Sequence, residues 1–130
     1  MPLPEQVRAA VESFAELLGV GDRDQWVELF AADATLTDPV PSKPHIGREA
    51  IGLFWTGLTG MADHVTLRQH HLHVCGNEAA LVYTLTLGIE GGGGTAFDGV
   101  ETFTVDDDGL ITSARAYWDP AELREVAQDD

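Results

Sequence analysis

One cysteine, seven basic residues and no long apolar run set the first limits on this chain of 130 residues. With Cys75 alone no disulfide scaffold can form, and a lone thiol suits a reducing compartment. Seven Lys and Arg against 22 Asp and Glu give a formal charge of −15. Basic residues this few and dispersed form no cationic stripe for nucleic-acid phosphates or anionic lipid. No apolar run approaches the roughly 18 residues that span a bilayer. The start, Met1-Pro2-Leu3-Pro4-Glu5, lacks the basic-then-apolar pattern of a secretory signal. Nucleic acid and membrane are therefore not expected partners, and the expected location is cytoplasmic. Apolar residues are plentiful at 44%, enough to build the core of one domain over residues 1–130.

Val7, Ala10, Val11, Phe14, Leu17 and Leu18 recur at the three-and-four spacing of one helix face, and Gly19 and Gly21 stop the run. Asp22, with Gln25 three residues on, is placed to cap a second helix through Phe30. Ala34 to Leu36 reads as a short strand. The stretch from Asp38 to Pro44 carries three prolines and reads as an ordered loop. Ile51, Phe54, Trp55 and Leu58 restore helical spacing over Arg48 to Leu58.

The second half reads as four strands: Val65 to Val74, Ala79 to Glu90, Thr95 to Val105 and Leu110 to Trp118. Between them lie Gly76-Asn77, the run Gly91 to Gly94, and Asp106-Asp107-Asp108-Gly109, as an antiparallel meander requires. Helices followed by sheet give an α+β fold. Alternation puts Leu81, Tyr83, Leu85 and Leu87 on one side of their strand, and Phe97, Gly99, Glu101, Phe103 and Val105 on one side of the next. Glu101 on an apolar face is conspicuous, because a carboxyl there must be paired, solvated or neutral. No metal site is expected. Of His70, His71 and His73, only the last two share a strand face, and no Cys or acidic ligand flanks them closely. The glycine run lacks the Lys and following helix of a phosphate loop.

Three stretches carry a family resemblance: Leu29-Phe30-Ala31-Ala32-Asp33-Ala34-Thr35-Leu36-Thr37-Asp38-Pro39-Val40, then Pro44-His45-Ile46-Gly47-Arg48-Glu49-Ala50-Ile51, and the closing Ala116-Tyr117-Trp118. The chain resembles bacterial Δ5-3-ketosteroid isomerase, within the superfamily that also holds nuclear-transport-factor-like and SnoaL-like proteins. The resemblance implies a cone-shaped α+β barrel, three N-terminal helices on a curved antiparallel sheet enclosing an apolar pocket, and a homodimer. It also implies proton transfer beside a carbonyl with no cofactor. The resembled enzyme is itself a standard illustration of pKa tuning, pairing an Asp base with an oxyanion hole made of a Tyr and a protonated Asp.

Residue by residue, the resemblance makes Asp38 the base and puts Glu101 where the protonated Asp stands. Phe14 occupies the place of the oxyanion Tyr and has no hydrogen to donate. Tyr83 is expected to supply a compensating hydroxyl, making Asp38, Glu101 and Tyr83 the catalytic set. Phe14, Phe54, Trp55, Leu85, Phe103 and Trp118 are expected to bind a small hydrophobic ligand, a steroid-like or other polycyclic ketone. Two alternatives stay open. One is a SnoaL-like polyketide cyclase or an epoxide hydrolase, the latter using an Asp-Arg-Asp arrangement that Arg115, pointing away from Trp118, does not fit. The other is a non-catalytic binder of flat hydrophobic ligands.

Overall fold

A computed structural model describes residues 1–127. Helix α1 spans Pro4–Val20 and buries Val7, Ala10, Val11, Phe14, Ala15 and Leu18, the face its spacing predicts. Proline at the first helical position costs no hydrogen bond there, because that N–H has no partner inside a helix. Gly19 is required by packing: a β-carbon there would collide with the carbonyl of Val65, in the strand His64–Cys75 against which α1 lies. Helix α2, Arg23–Val27, is capped by the Asp22 carboxylate, which accepts from the Gln25 N–H at 2.7 Å. It stops three residues short of Phe30. The Ile111 N–H bonds the Leu29 carbonyl, and Phe30 pairs with Ile111, so the chain is already in the sheet.

Seven strands follow or interleave: β1 Phe30–Thr37, β2 His45–Ile46, β3 His64–Cys75, β4 Glu78–Gly88, β5 Gly94–Val105, β6 Ile111–Tyr117 and β7 Arg124–Val126. Helix α3, Gly47–Thr59, separates β2 from β3 and packs on β1. The sheet order is β2-β1-β6-β5-β4-β3, with β7 added to the Gly94–Ala96 end of β5. The three helices lie on a curved sheet, an α+β cone.

The sheet is mixed rather than wholly antiparallel. The last four long strands form the expected meander, but β1 runs parallel to β6, with Leu36 opposite Ala114 and Thr37 opposite Arg115. The sheet is also open, since no pairing joins β2 to β3 among the described residues. Parallel pairing makes β1 and β6 finish at the same end. Asp38 and Trp118 leave that end side by side, and the Val40 N–H donating to the Ala116 carbonyl at 2.8 Å fastens the proline loop there.

The core lies between helices and sheet. Phe14 packs edge-on against Phe103 with ring centroids 4.9 Å apart, and Trp26 meets Phe30 at 5.0 Å. The Trp26 indole donates to the Phe14 carbonyl at 3.3 Å, so this large buried side chain leaves no stranded donor. No helix among the described residues is long and apolar enough to cross a membrane.

Candidate active site

A cavity of about 950 Å³ opens between α3, the meander and the C-terminal strand. Phe54 and Leu58 supply its helical wall, and Leu85, Leu87 and Phe97 supply its sheet wall, all on the face that strand alternation assigns to them. Trp118 stacks on Phe97 with centroids 4.1 Å apart and planes at 24°, forming a flat aromatic surface. Leu123, Glu125 and Val126 complete the mouth. A volume and lining of this kind suit a largely apolar small molecule.

Asp38 stands in the wall. The Trp118 indole N–H donates to Asp38 Oδ1 at 2.7 Å, a short charge-assisted bond. Burial pushes the Asp38 carboxyl above its ordinary pKa. The Trp118 hydrogen bond and the nearby His45 charge act the other way, because both favour the anion.

Glu101 lies one step deeper, 2% exposed, and its Oε2 atom is enclosed with no hydrogen-bond partner among the described residues. Burial, then the neighbouring Asp38 charge, holds its pKa well above the ordinary carboxylate range. Both carboxyls are thus pushed up by burial, and each disfavours the charge of the other: burial and the Asp38 charge favour the neutral form of Glu101, while the Trp118 bond favours the anion of Asp38. Tyr83 is beside them. It pairs with Gly99 on the strand that carries Glu101, and burial, Glu101 and Asp38 in that order raise the pKa of its phenol. The Tyr83 hydroxyl makes no hydrogen bond among the described residues.

The structure therefore brings Asp38, Glu101 and Tyr83 within electrostatic reach of one another. Of the residues expected to touch a ligand, Phe54, Leu85 and Trp118 are in the cavity wall. Phe14, Phe103 and Trp55 are not. Phe14 and Phe103 are packed against each other in the core, and the indole N–H of Trp55 is enclosed without a partner among the described residues. Glu101 and Tyr83 also lie behind the wall, continuing the faces that present Leu85 and Phe97. Arg115 is on the opposite, exposed face, donating to the Tyr117 hydroxyl at 3.2 Å. The sequence reading missed Phe97 as a wall residue, although it assigned Phe97 to the Glu101 face. It also missed the bond from Trp118 to Asp38, which no spacing announces.

Residues 11–114 match the SnoaL-like domain. The steroid Δ-isomerase of Nocardioides simplex is 31% identical over 118 residues, covering 91% of this chain and 94% of that enzyme. The chain belongs to the SnoaL-like family. This SnoaL-like chain also superposes on the crystal structure of Δ5-3-ketosteroid isomerase from Mycobacterium sp. with a TM-score of 0.83 and 25% identity, over 93% of its own length and 98% of the other's. The epoxide hydrolase LasB of Streptomyces lasalocidi is 31% identical over 121 residues, 88% of this chain. The match spans 42% of LasB, so it compares one part of that enzyme with the SnoaL-like fold.

Proposed function

We propose that this protein is a cofactor-independent isomerase that moves a proton beside a carbonyl, converting a Δ5-3-ketosteroid or similar polycyclic ketone to its conjugated Δ4 form. The observation that carries the reading is a cavity-wall carboxyl, Asp38, held by Trp118 and backed by the buried carboxyl of Glu101, whose burial favours its neutral form. Asp38 as carboxylate removes a proton from the carbon between ketone and alkene. The C–H electron pair becomes part of a dienolate, with charge on the former carbonyl oxygen. Protonated Glu101 and the Tyr83 hydroxyl donate to that oxygen, the Tyr83 hydroxyl standing in for the donor that Phe14 lacks. Asp38 then returns the proton at the far end of the dienolate, and the shifted double bond is left in conjugation with the ketone. No net proton or electron is exchanged.

The isomerase relatives support this choice of chemistry. Epoxide opening is a second reading, favoured by the LasB likeness and by the same acid and base pair. It is the weaker one, because Arg115 faces away from the cavity and supplies no guanidinium to an oxyanion. The protein is proposed to work in the cytoplasm as a homodimer joined through the exposed sheet face, where Val100 and Tyr117 present apolar surface.

Growth of conjugated-enone absorbance on mixing with a Δ5-3-ketosteroid tests the isomerase reading. Turnover above the spontaneous rate, lost in Asp38→Asn while steroid affinity persists, is the expected result. Tight steroid binding with no turnover in the wild type would sink the reading in favour of a binder.

A further inference from the structure

At the mouth of the cavity, the backbone settles which way the side chains of β7 face. Arg124 reaches Asp98 through two bonds, NH1 to Oδ2 at 3.0 Å and NH2 to Oδ1 at 3.2 Å. Asp98 sits on the outer face of β5, where it also accepts from the Thr84 hydroxyl at 2.6 Å. Arg124 is therefore on the outer side. Side chains alternate along a strand, so Glu125 faces inward. The register agrees: Glu125 pairs with Thr95, which shares the inner face with Phe97. Leu123, Glu125, Thr95 and Phe97 all line the cavity.

The charge of this lining is one-sided. Asp38 and Glu125 are its titratable residues, and it holds no Lys, Arg or His. The two carboxyls serve opposite ends. Thr95, the partner of Glu125, is six residues before Glu101 on β5, roughly 20 Å along an extended strand. A carbonyl held beside Asp38 and Glu101 thus directs the far end of a long flat molecule toward Glu125.

We propose that Glu125 is a specificity-determining residue, selecting ligands whose remote end carries a hydroxyl or ammonium donor and rejecting those with a carboxylate or sulfate there. The proposal rests on the isomerase reading for the orientation of the ligand, and it names the substrate class more closely. A carboxylate accepts from such a donor in a charge-assisted bond, with the Thr95 hydroxyl beside it. An anionic tail meets repulsion that no cation in the wall offsets, within an overall charge of −15. Glu125 is solvent-exposed at the rim, so its selectivity is screened by salt. Arg124 is a positioning residue that keeps Glu125 turned inward.

The test is equilibrium binding of three congeners of one 3-ketosteroid nucleus, bearing a hydroxyl, an amine or a hemisuccinate at the end away from the ketone. Wild type, Glu125→Gln and Glu125→Lys are compared at low and high ionic strength, with enone formation followed in parallel. The wild type is expected to prefer the hydroxyl and amine forms over the hemisuccinate by about tenfold at low salt, the scale of a hydrogen bond to a charged group. Glu125→Gln is expected to compress that ratio, Glu125→Lys to invert it, and high salt to narrow it. A ratio equal in wild type and Glu125→Gln overturns the assignment, whether or not enone forms. Selective binding without enone formation overturns the isomerase reading and leaves the role of Glu125 standing. Failure of all three congeners to bind overturns both.

Discussion

Trp118 and Asp38 are 80 residues apart, yet the indole nitrogen of one donates to a carboxyl oxygen of the other at 2.7 Å. The bond stabilises the carboxylate against the burial that raises its pKa. It also occupies Oδ1 and leaves Oδ2 as the carboxyl oxygen without that donor. Trp118 makes this bond while stacked on Phe97, so the residue that sets the environment of Asp38 also shapes the cavity surface.

Replacing Trp118 by Phe keeps the aromatic surface and removes the donor. The carboxylate loses a stabilising bond, so the pKa of Asp38 rises further. The acid limb of the pH profile of kcat/KM is expected to move to higher pH, with the largest loss of activity on the acid side and a smaller one at alkaline pH. A limb that stays in place would show that Asp38 is not the titrating base.

Glu101→Gln removes a titration and keeps a hydrogen-bond donor of similar shape. The folded pKa of Glu101 lies above its ordinary value of 4.5. Its contribution to stability is then full below that value and is lost as pH rises through the raised folded pKa. The wild type is expected to lose denaturant stability across this window relative to Glu101→Gln, and the difference should level off above it. Parallel stability curves for the two proteins would mean that Glu101 is ionised in the folded state.

Tyr83→Phe separates chemistry from packing. The hydroxyl has no partner among the described residues, so its removal is expected to change the thermal midpoint little or to raise it. If the hydroxyl serves the dienolate, turnover falls roughly a hundred- to thousandfold, the usual cost of one oxyanion donor. Single-turnover kinetics beside a melting curve read both effects, and unchanged kinetics would remove Tyr83 from the catalytic set.

Gly99 is the floor on which Tyr83 rests. A β-carbon at Gly99 would stand 2.8 Å from the hydroxyl and 2.9 Å from Cζ of Tyr83, both too close, and at a tight 3.1 Å from the Tyr117 carbonyl. Gly99→Ala is expected to destabilise the fold by about 1–3 kcal/mol, the usual range for overpacking, and to lower turnover as well. A phenyl ring at position 83 would keep the Cζ conflict, so the rescuing variant needs a smaller side chain: in Gly99→Ala/Tyr83→Leu the stability loss should be less than the sum of the two single losses. A double variant whose loss is the sum of the two single losses would place the strain elsewhere.

Much of this architecture is legible in the residue pattern. Helical spacing marks α1 and α3 because each has a polar outer face, and alternation marks β4 and β5 because one side of each is buried. Strand β7 escapes such a reading: Arg124, Glu125 and Val126 are all exposed, so no apolar rhythm distinguishes them from a loop. The parallel pairing of β1 with β6 escapes as well, since alternation reports which face a residue takes but not the direction of its neighbour. Asp38 was found through its flanking residues, Glu101 through its incongruity on an apolar face. Phe14 and Phe103 share a helix or strand face with the site, but the aromatic contacts around Phe14 draw both into the core.

That parallel pairing also governs when the site can come into being. Strands joined by hairpins can zip together locally, whereas β1 must wait for β6, which lies most of the chain length away. Until that distant closure is made, Asp38 has neither its indole donor nor its buried partner, however complete the helices and the meander already are. Activity would therefore be the last property regained on refolding, a reporter of the slowest contact rather than of the amount of secondary structure.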